Sequence, residues 1–295
     1  MAELIKEQIE EFKQEEKESG GFSDCMNLAE KVAEAGDKVW AQKLYKRAEE
    51  LAEDFYEYRN LVNSVVNEIY LGDKEYARDL SKKAESLASR STHFLDLAES
   101  YASDDRLGDK VYAMELYKKS EELATSGLDY CYLAHSVAEE SYINDKNYAI
   151  KLLEKAESDP GGSYPPRVLR DVGGIYCHQI NDKSKAREVF EKCEKLIDTW
   201  EPAGILRPYW NEKKGQQFIY LAHEVSDENG LDDKEFAREL YKKAEYYISS
   251  RGFDASELAG YLEDFDEEWS KNVKNGNYGT QGTLDETNDT KSEGL

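Results

Sequence analysis

Counted from Asp37, apolar and small residues return at offsets of three, four, seven, eight and eleven: Trp40, Ala41, Leu44, Tyr45 and Ala48. Those offsets mark one face of an α-helix. The pattern recurs after Asp73, Asp109, Asp145, Asp182 and Asp233. Four residues on, every copy has Ala: Ala41, Ala77, Ala113, Ala149, Ala186 and Ala237. Eleven on, the residue is small: Ala48, Ala84, Ser120, Ala156, Cys193 or Ala244. An aromatic stands three on in five copies, and Lys185 replaces it in the fifth. The Asp-to-Asp spacings are 36, 36, 36, 37 and 51. A fixed period of this size marks a stacked repeat array.

Each Asp can cap the helix that follows it, and the Gly before it, as at Gly36, Gly72 and Gly108, can end the helix before. That earlier helix has its own marker: LAEKV from Leu28, LVNSV from Leu61, LAESY from Leu97, LAHSV from Leu133 and LAHEV from Leu221. In the fifth copy the marker is blurred, LRDVG from Leu169. Each unit is thus a helix, a tight turn and a helix, unable to bury its apolar face until stacked. The recurrent Ala suits a close helix crossing with room for no more than a methyl group.

The 51-residue spacing hides an insertion, DTWEPAGILRPYW, with two Pro and two Trp. Trp200 and Trp210 read either as exposed interface anchors or as plugs where regular stacking is interrupted, and the plug reading is preferred. DPGGSYPP, 159–166, bends the chain between units four and five. The expected organisation is a capping helix at 1–20, repeats one to five at 21–197, the insertion at 198–212, repeat six at 213–252 and a capping helix at 253–274. The tail, 275–295, has few apolar residues and no period and is expected to be disordered.

Composition narrows the partners. The chain has 295 residues, 39% apolar and 35% charged, thin for one large core but normal for an array with much wet surface. Its net charge is -24. Nucleic acid is not expected as a direct ligand, because binding it needs Lys and Arg to displace counterions. An anionic membrane surface is disfavoured for the same reason, whereas a basic protein or peptide would be drawn in. The start is acidic and amphipathic, without the basic start and apolar run of a signal peptide. No segment approaches the ~20 apolar residues needed to span a bilayer. Cys25, Cys131, Cys177 and Cys193 form no Cys-x-x-Cys pair and suggest neither zinc nor a disulfide framework. The expected compartment is a reducing cytoplasm.

The search for chemistry finds no phosphate-binding Gly loop and no Gly-x-Ser-x-Gly motif. His135 and His223 share one repeat position, so their separation is set by stacking rather than by a metal. Cys177 and His178 are adjacent and would point apart on a helix. No catalytic residue, metal or cofactor is expected.

Over roughly residues 22–250 the pattern resembles the tetratricopeptide repeat and its relative, the Sel1-like repeat. Leu28-Ala29 fits the Leu-Gly pair of the first helix, and Ala41, Tyr45 and Ala48 fit the Ala, aromatic and Ala of the second. The run YKKSEELATSGLDYCYLA, Tyr117 to Ala134, is similar to the Sel1 passage from one helix pair to the next. The period of 36 is nearer the Sel1-like length, and the usual helix-ending Pro is mostly missing. The expected fold is all-α, a right-handed α-solenoid of about six helix-turn-helix repeats with terminal capping helices.

The resemblance implies a concave groove lined by the first helix of each unit. Two residues after the marker Leu it places Glu30, Asn63, Glu99, His135, Asp171 and His223. Two before come Met26, Arg59, Leu95, Cys131, Arg167 and Ile219, and five before come Tyr56, Leu128 and Tyr164 among others. Acids outnumber bases there, which suits a peptide with basic and apolar residues. The expected function is a non-enzymatic scaffold or adaptor binding a protein or peptide in that groove. The alternative is an acidic chaperone or antagonist of one basic protein partner.

Overall fold

The computed structural model describes residues 6–161, 165–201, 210–249 and 254–279. Among them the chain is all-α, with fifteen α-helices, one π-helical turn and no strand. After α1 (Lys6–Glu18), helices pack as consecutive antiparallel pairs. These are α2 (Phe22–Glu34) with α3 (Lys38–Leu51), α4 (Phe55–Val66) with α5 (Lys74–Leu87), and α6 (Ser91–Ala102) with α7 (Lys110–Glu122). Then come α8 (Gly127–Ala138) and α9 (Lys146–Ser158). α10 (Pro165–Ile175) runs into the π turn (Tyr176–Ile180) and pairs with α11 (Lys183–Thr199). The last pairs are α12 (Trp210–Ser226) with α13 (Lys234–Ser249) and α14 (Ser256–Phe265) with α15 (Glu267–Lys274). Two compact units result: Met1–Thr125 with Tyr132–Ala149, and Ser126–Cys131 with Ile150–Leu295. No helix among the described residues is long and apolar enough to cross a membrane.

The turn inside each pair has one construction in all six copies. The Asp carboxylate accepts from the backbone N–H three residues on, at Trp40, Tyr76, Tyr112, Tyr148, Lys185 and Phe236, over 2.9–3.0 Å. This satisfies one of the donors that a helix start leaves without a partner. The residue before each Asp is left-handed: Gly36, Gly72 and Gly108, then Asn144, Asn181 and Asp232. Gly, Asn and Asp are the residues that enter this region at least cost, which is why the position alternates among them. The six alanines four residues after the Asp are all fully buried.

The fifth copy is offset from its expected register. In five copies the capping Asp donates its N–H to the carbonyl four residues after the marker, as from Asp109 to Tyr101 at 2.7 Å. In the fifth, Asp182 donates to Tyr176, which sets the marker at Val172, three residues beyond Leu169. A second contact agrees. Ser120 donates to the Ser91 carbonyl, six before its marker, and Cys193 donates to the Pro166 carbonyl, six before Val172. The marker is blurred because Gly173 stands where the other copies have Ala or Val. A Cβ there would lie 2.2 Å from the Phe190 ring, so the buried ring excludes even a methyl group. The π turn takes up the altered spacing before Asp182.

Successive pairs are joined through a Glu near the end of each second helix. In the first unit, the Tyr76 and Tyr148 hydroxyls donate to Glu49 and Glu121 at 2.7 and 2.6 Å, and Tyr112 donates to Glu85. Lys83 and Lys119 pair with Glu49 and Glu85. Burial and the Glu partners together push these three phenols well above the usual tyrosine range. At the start, the Trp40 indole donates to Glu16 of α1 at 3.2 Å. In the second unit, Lys185 and Lys192 both hold Glu157, and Lys243 holds Glu194.

The C-terminal segment is a helix pair rather than the single capping helix expected. Asp266 caps α15 by accepting from Trp269 N at 3.1 Å, and the Trp269 indole donates to the fully buried Glu245 at 3.1 Å. Ser270 and Val273, four and seven residues after Asp266, are buried. These are the contacts of the six Asp-led copies, so the pattern continues once more. Each Tyr link spans 27 residues and each Trp link 24. The turns inside the first and last pairs are shorter by nearly one helical turn, and the longer indole bridges the difference. The insertion is also shorter than expected, since α11 ends at Thr199 and α12 begins at Trp210. Residues 202–209, most of it, lie outside the described residues, as do 280–295 of the tail.

Candidate partner-binding face

The first helices of consecutive pairs touch one another, α2 with α4, α4 with α6, α10 with α12 and α12 with α14. Such first helices border one hollow in the first unit and two in the second. The first, about 300 Å³ between α2 and α4, brings together Met26, Glu30 and Asn63 with Ser23 and Asn60. The second, about 360 Å³ between α10 and α12, is lined by Arg167, Arg170, Asp171, Gln217 and Tyr220. The third, about 700 Å³, lies beside His223 between α12, α13 and α14. Counted from the corrected markers, all three involve the positions five before, two before, two after or six after the marker Leu.

The expected groove residues divide by burial. Glu30, Asn63, Glu99 and Asp171 are half-buried, while Tyr56, His135, Arg167 and His223 are exposed. Leu95, Cys131 and Ile219 are not groove residues: they are 8%, 2% and 0% exposed and packed inside. Two before the marker, the side chain lies at the crossing with the next first helix, so an apolar residue there is absorbed into the core. Met26 is also buried, at 6%, and touches the first hollow only at its rim. Leu128 is half-buried. Tyr164 and the Trp210 side chain lie outside the described residues. Trp200 is 8% exposed, so it is no exposed anchor. With the register corrected, Gly174 takes the place assigned to Asp171, and Arg170 joins Arg59 two before the marker.

Polar side chains on this face are held by their neighbours. Ser64 donates to Glu30 at 2.5 Å. Arg59 pairs with Asp96 at 2.8 Å and lies over the Tyr56 ring, whose hydroxyl meets His93 Nε2 at 3.2 Å. Arg106 donates to Asn63 at 3.2 Å. Burial pushes the Glu99 carboxyl up, against a Ser136 hydrogen bond that lowers it, and Ser136 in turn meets the Tyr117 hydroxyl at 2.7 Å. Burial likewise raises Asp171 against Arg170 and Arg167, and raises Glu224 against Arg170 and the two nearby histidines. Cys131 is pushed up to about 12 and Cys177 to about 11 by burial, so neither is a thiolate at neutral pH.

Glu224 was missed by sequence reading. It stands three after its marker, where other copies have Ser64, Ser100 and Ser136. A Glu in a row of Ser was the available signal, and Gly174 across from it leaves the room. Tyr261 and Asp264 were missed because α14 was not recognised as a first helix.

No protein-family model matches this chain, and no curated protein is similar to it in sequence.

Proposed function

We propose that the chain is a non-enzymatic binding module. In this reading it is an α-solenoid of tetratricopeptide-like or Sel1-like repeats that holds a basic protein or peptide on the face its first helices share. One observation carries the reading: hollows in both units include the same repeat positions among their lining residues. A face built by a repeat and hollowed at more than one step suits an extended chain better than a compact substrate. The net charge of -24 and the half-buried carboxylates favour a cationic partner.

The test is affinity capture from native lysate with wild type beside an Arg59→Ala, Glu99→Ala, His135→Ala variant. The expected result is a partner retained by wild type and lost by the variant with its helicity unchanged. A partner held equally by both sinks the reading.

A second reading, an acidic chaperone or antagonist acting through charge alone, also rests on the net charge. It expects binding that collapses between low and physiological salt, since exposed charges are screened over about 8 Å there.

A further inference from the structure

The hollow bounded by α12, α13 and α14 differs in chemistry from the other two. Tyr241 is buried behind it, and Tyr261 lies half-buried on its wall, 5.0 Å from the exposed His223 ring. Four carboxylates line it, from Asp227, Glu228, Glu257 and Asp264. Its one lysine, Lys234, already donates to the Ser226 carbonyl at 2.7 Å. Gly260 opens the middle. It occupies the position, two after the marker Leu258, that holds Glu99 or His223 elsewhere, and a Cβ there would meet nothing within 4 Å. No group of three metal-binding side chains converges among the described residues.

The same chain shows what fills such a combination of ring and carboxylate. Arg59 lies 5.5 Å from the Tyr56 ring centre and pairs with Asp96. Arg187 lies 4.8 Å from that of Phe236 and pairs with Asp233. Arg238 lies 5.3 Å from that of Phe265 and pairs with Asp266 at 3.0 Å. With Arg170 over Tyr220 and beside Asp171, a guanidinium lies over a ring and pairs with an acid four times, and a lysine, Lys243 over Phe218, does so once. Arginine suits this better than lysine because its planar fork can stack and pair at once. The hollow has the ring and the acids, and no arginine lines it.

We propose that this hollow receives an arginine side chain from the bound partner, its guanidinium lying on Tyr261 and paired with Asp264. The proposal rests on the binding-module reading and names the chemistry of its partner. A volume of about 700 Å³ takes the side chain together with the peptide backbone on either side.

The test uses nuclear magnetic resonance on the full chain. The probe is a capped nonapeptide with one central Arg among Gly and Ser, beside its Lys and citrulline counterparts. Citrulline keeps the shape and removes the charge. The Arg peptide is expected to shift the Gly260 and Asp264 amides, the Lys peptide to bind several-fold more weakly, and the citrulline peptide at least about tenfold more weakly. Gly260→Leu fills the hollow from a position with free space, and Asp264→Asn removes one acid without changing shape; each should weaken the Arg peptide about tenfold. Amides that do not move, or an Arg peptide bound equally by both variants, overturn the proposal. If the lysate partner is still captured and still lost by the Arg59, Glu99, His135 variant, only the arginine site falls. If that partner too is indifferent, the binding-module reading falls with it.

Discussion

From α2 to α7 the chain holds a 36-residue period and repeats one chemistry at its links, a Tyr hydroxyl and a Lys on a single Glu. From α10 onward the period breaks, and the links use two lysines, one lysine or an indole. The second region also has a π turn, a Gly in place of the marker Ala, and two of the three hollows. The comparison teaches that the acceptor Glu is the fixed element and the donor is interchangeable, provided that it reaches. It also shows where room for a ligand comes from. Regular stacking fills its own face, with Arg59 and Arg106 tied to neighbouring side chains, and departures from the period leave the larger gaps.

The strongest way to break the comparison is at the core position eight after the capping Asp. Tyr117→Ala in the first unit and Phe190→Ala in the second should each cost about 3–5 kcal/mol in urea unfolding. A cheap Phe190→Ala would mean that the irregular unit does not rest on the same position. Gly173→Ala alone should cost about 1–3 kcal/mol, through overpacking against Phe190, and become nearly neutral in the Phe190→Ala background.

The caps come next. Asp109→Ala and Asp182→Ala should each lose about 1 kcal/mol, since the turn is built alike in both units. Unequal losses would place the difference between the units in their turns as well as their links.

The smallest effect is on pH dependence. Burial raises the folded pKa of Glu99 in the first unit and of Asp171 and Glu224 in the second. A raised carboxyl binds its proton more tightly when folded, so its penalty is absent below the unfolded pKa and grows as pH rises through the folded one. Relative to wild type, Glu99→Gln should therefore gain stability as pH rises above the ordinary carboxylate range of about 4. The Asp171→Asn, Glu224→Gln pair should gain more. Unfolding curves across that rise that stay parallel to wild type would remove burial as the cause.

The helix pairs and their caps were legible because Asp, Ala and the apolar offsets are local to one helix. The fifth marker was not, because Gly173 makes sense only against the Phe190 ring, seventeen residues away in sequence. The last pair was hidden because its turn shrinks to Asp266 alone, with the marker Leu258 eight residues before it rather than twelve. On the candidate face, the offsets found the exposed positions. The burial of Leu95, Cys131 and Ile219 depends on how one first helix crosses the next, and no single helix's pattern contains that.

The repeated turn makes the chain divisible. Cutting out residues 74–109, one 36-residue period, would join Asp73 to Lys110. Asp73 would then cap a helix whose third residue is Tyr112, and Tyr112 would stand 27 residues after Glu49, the span of the interior links. The capping bond and the hydroxyl–Glu link would each find a partner of the same kind. Lengthening or shortening such a protein by whole periods keeps its turns and its Glu links, so its reach can change while those two bonds stay the same.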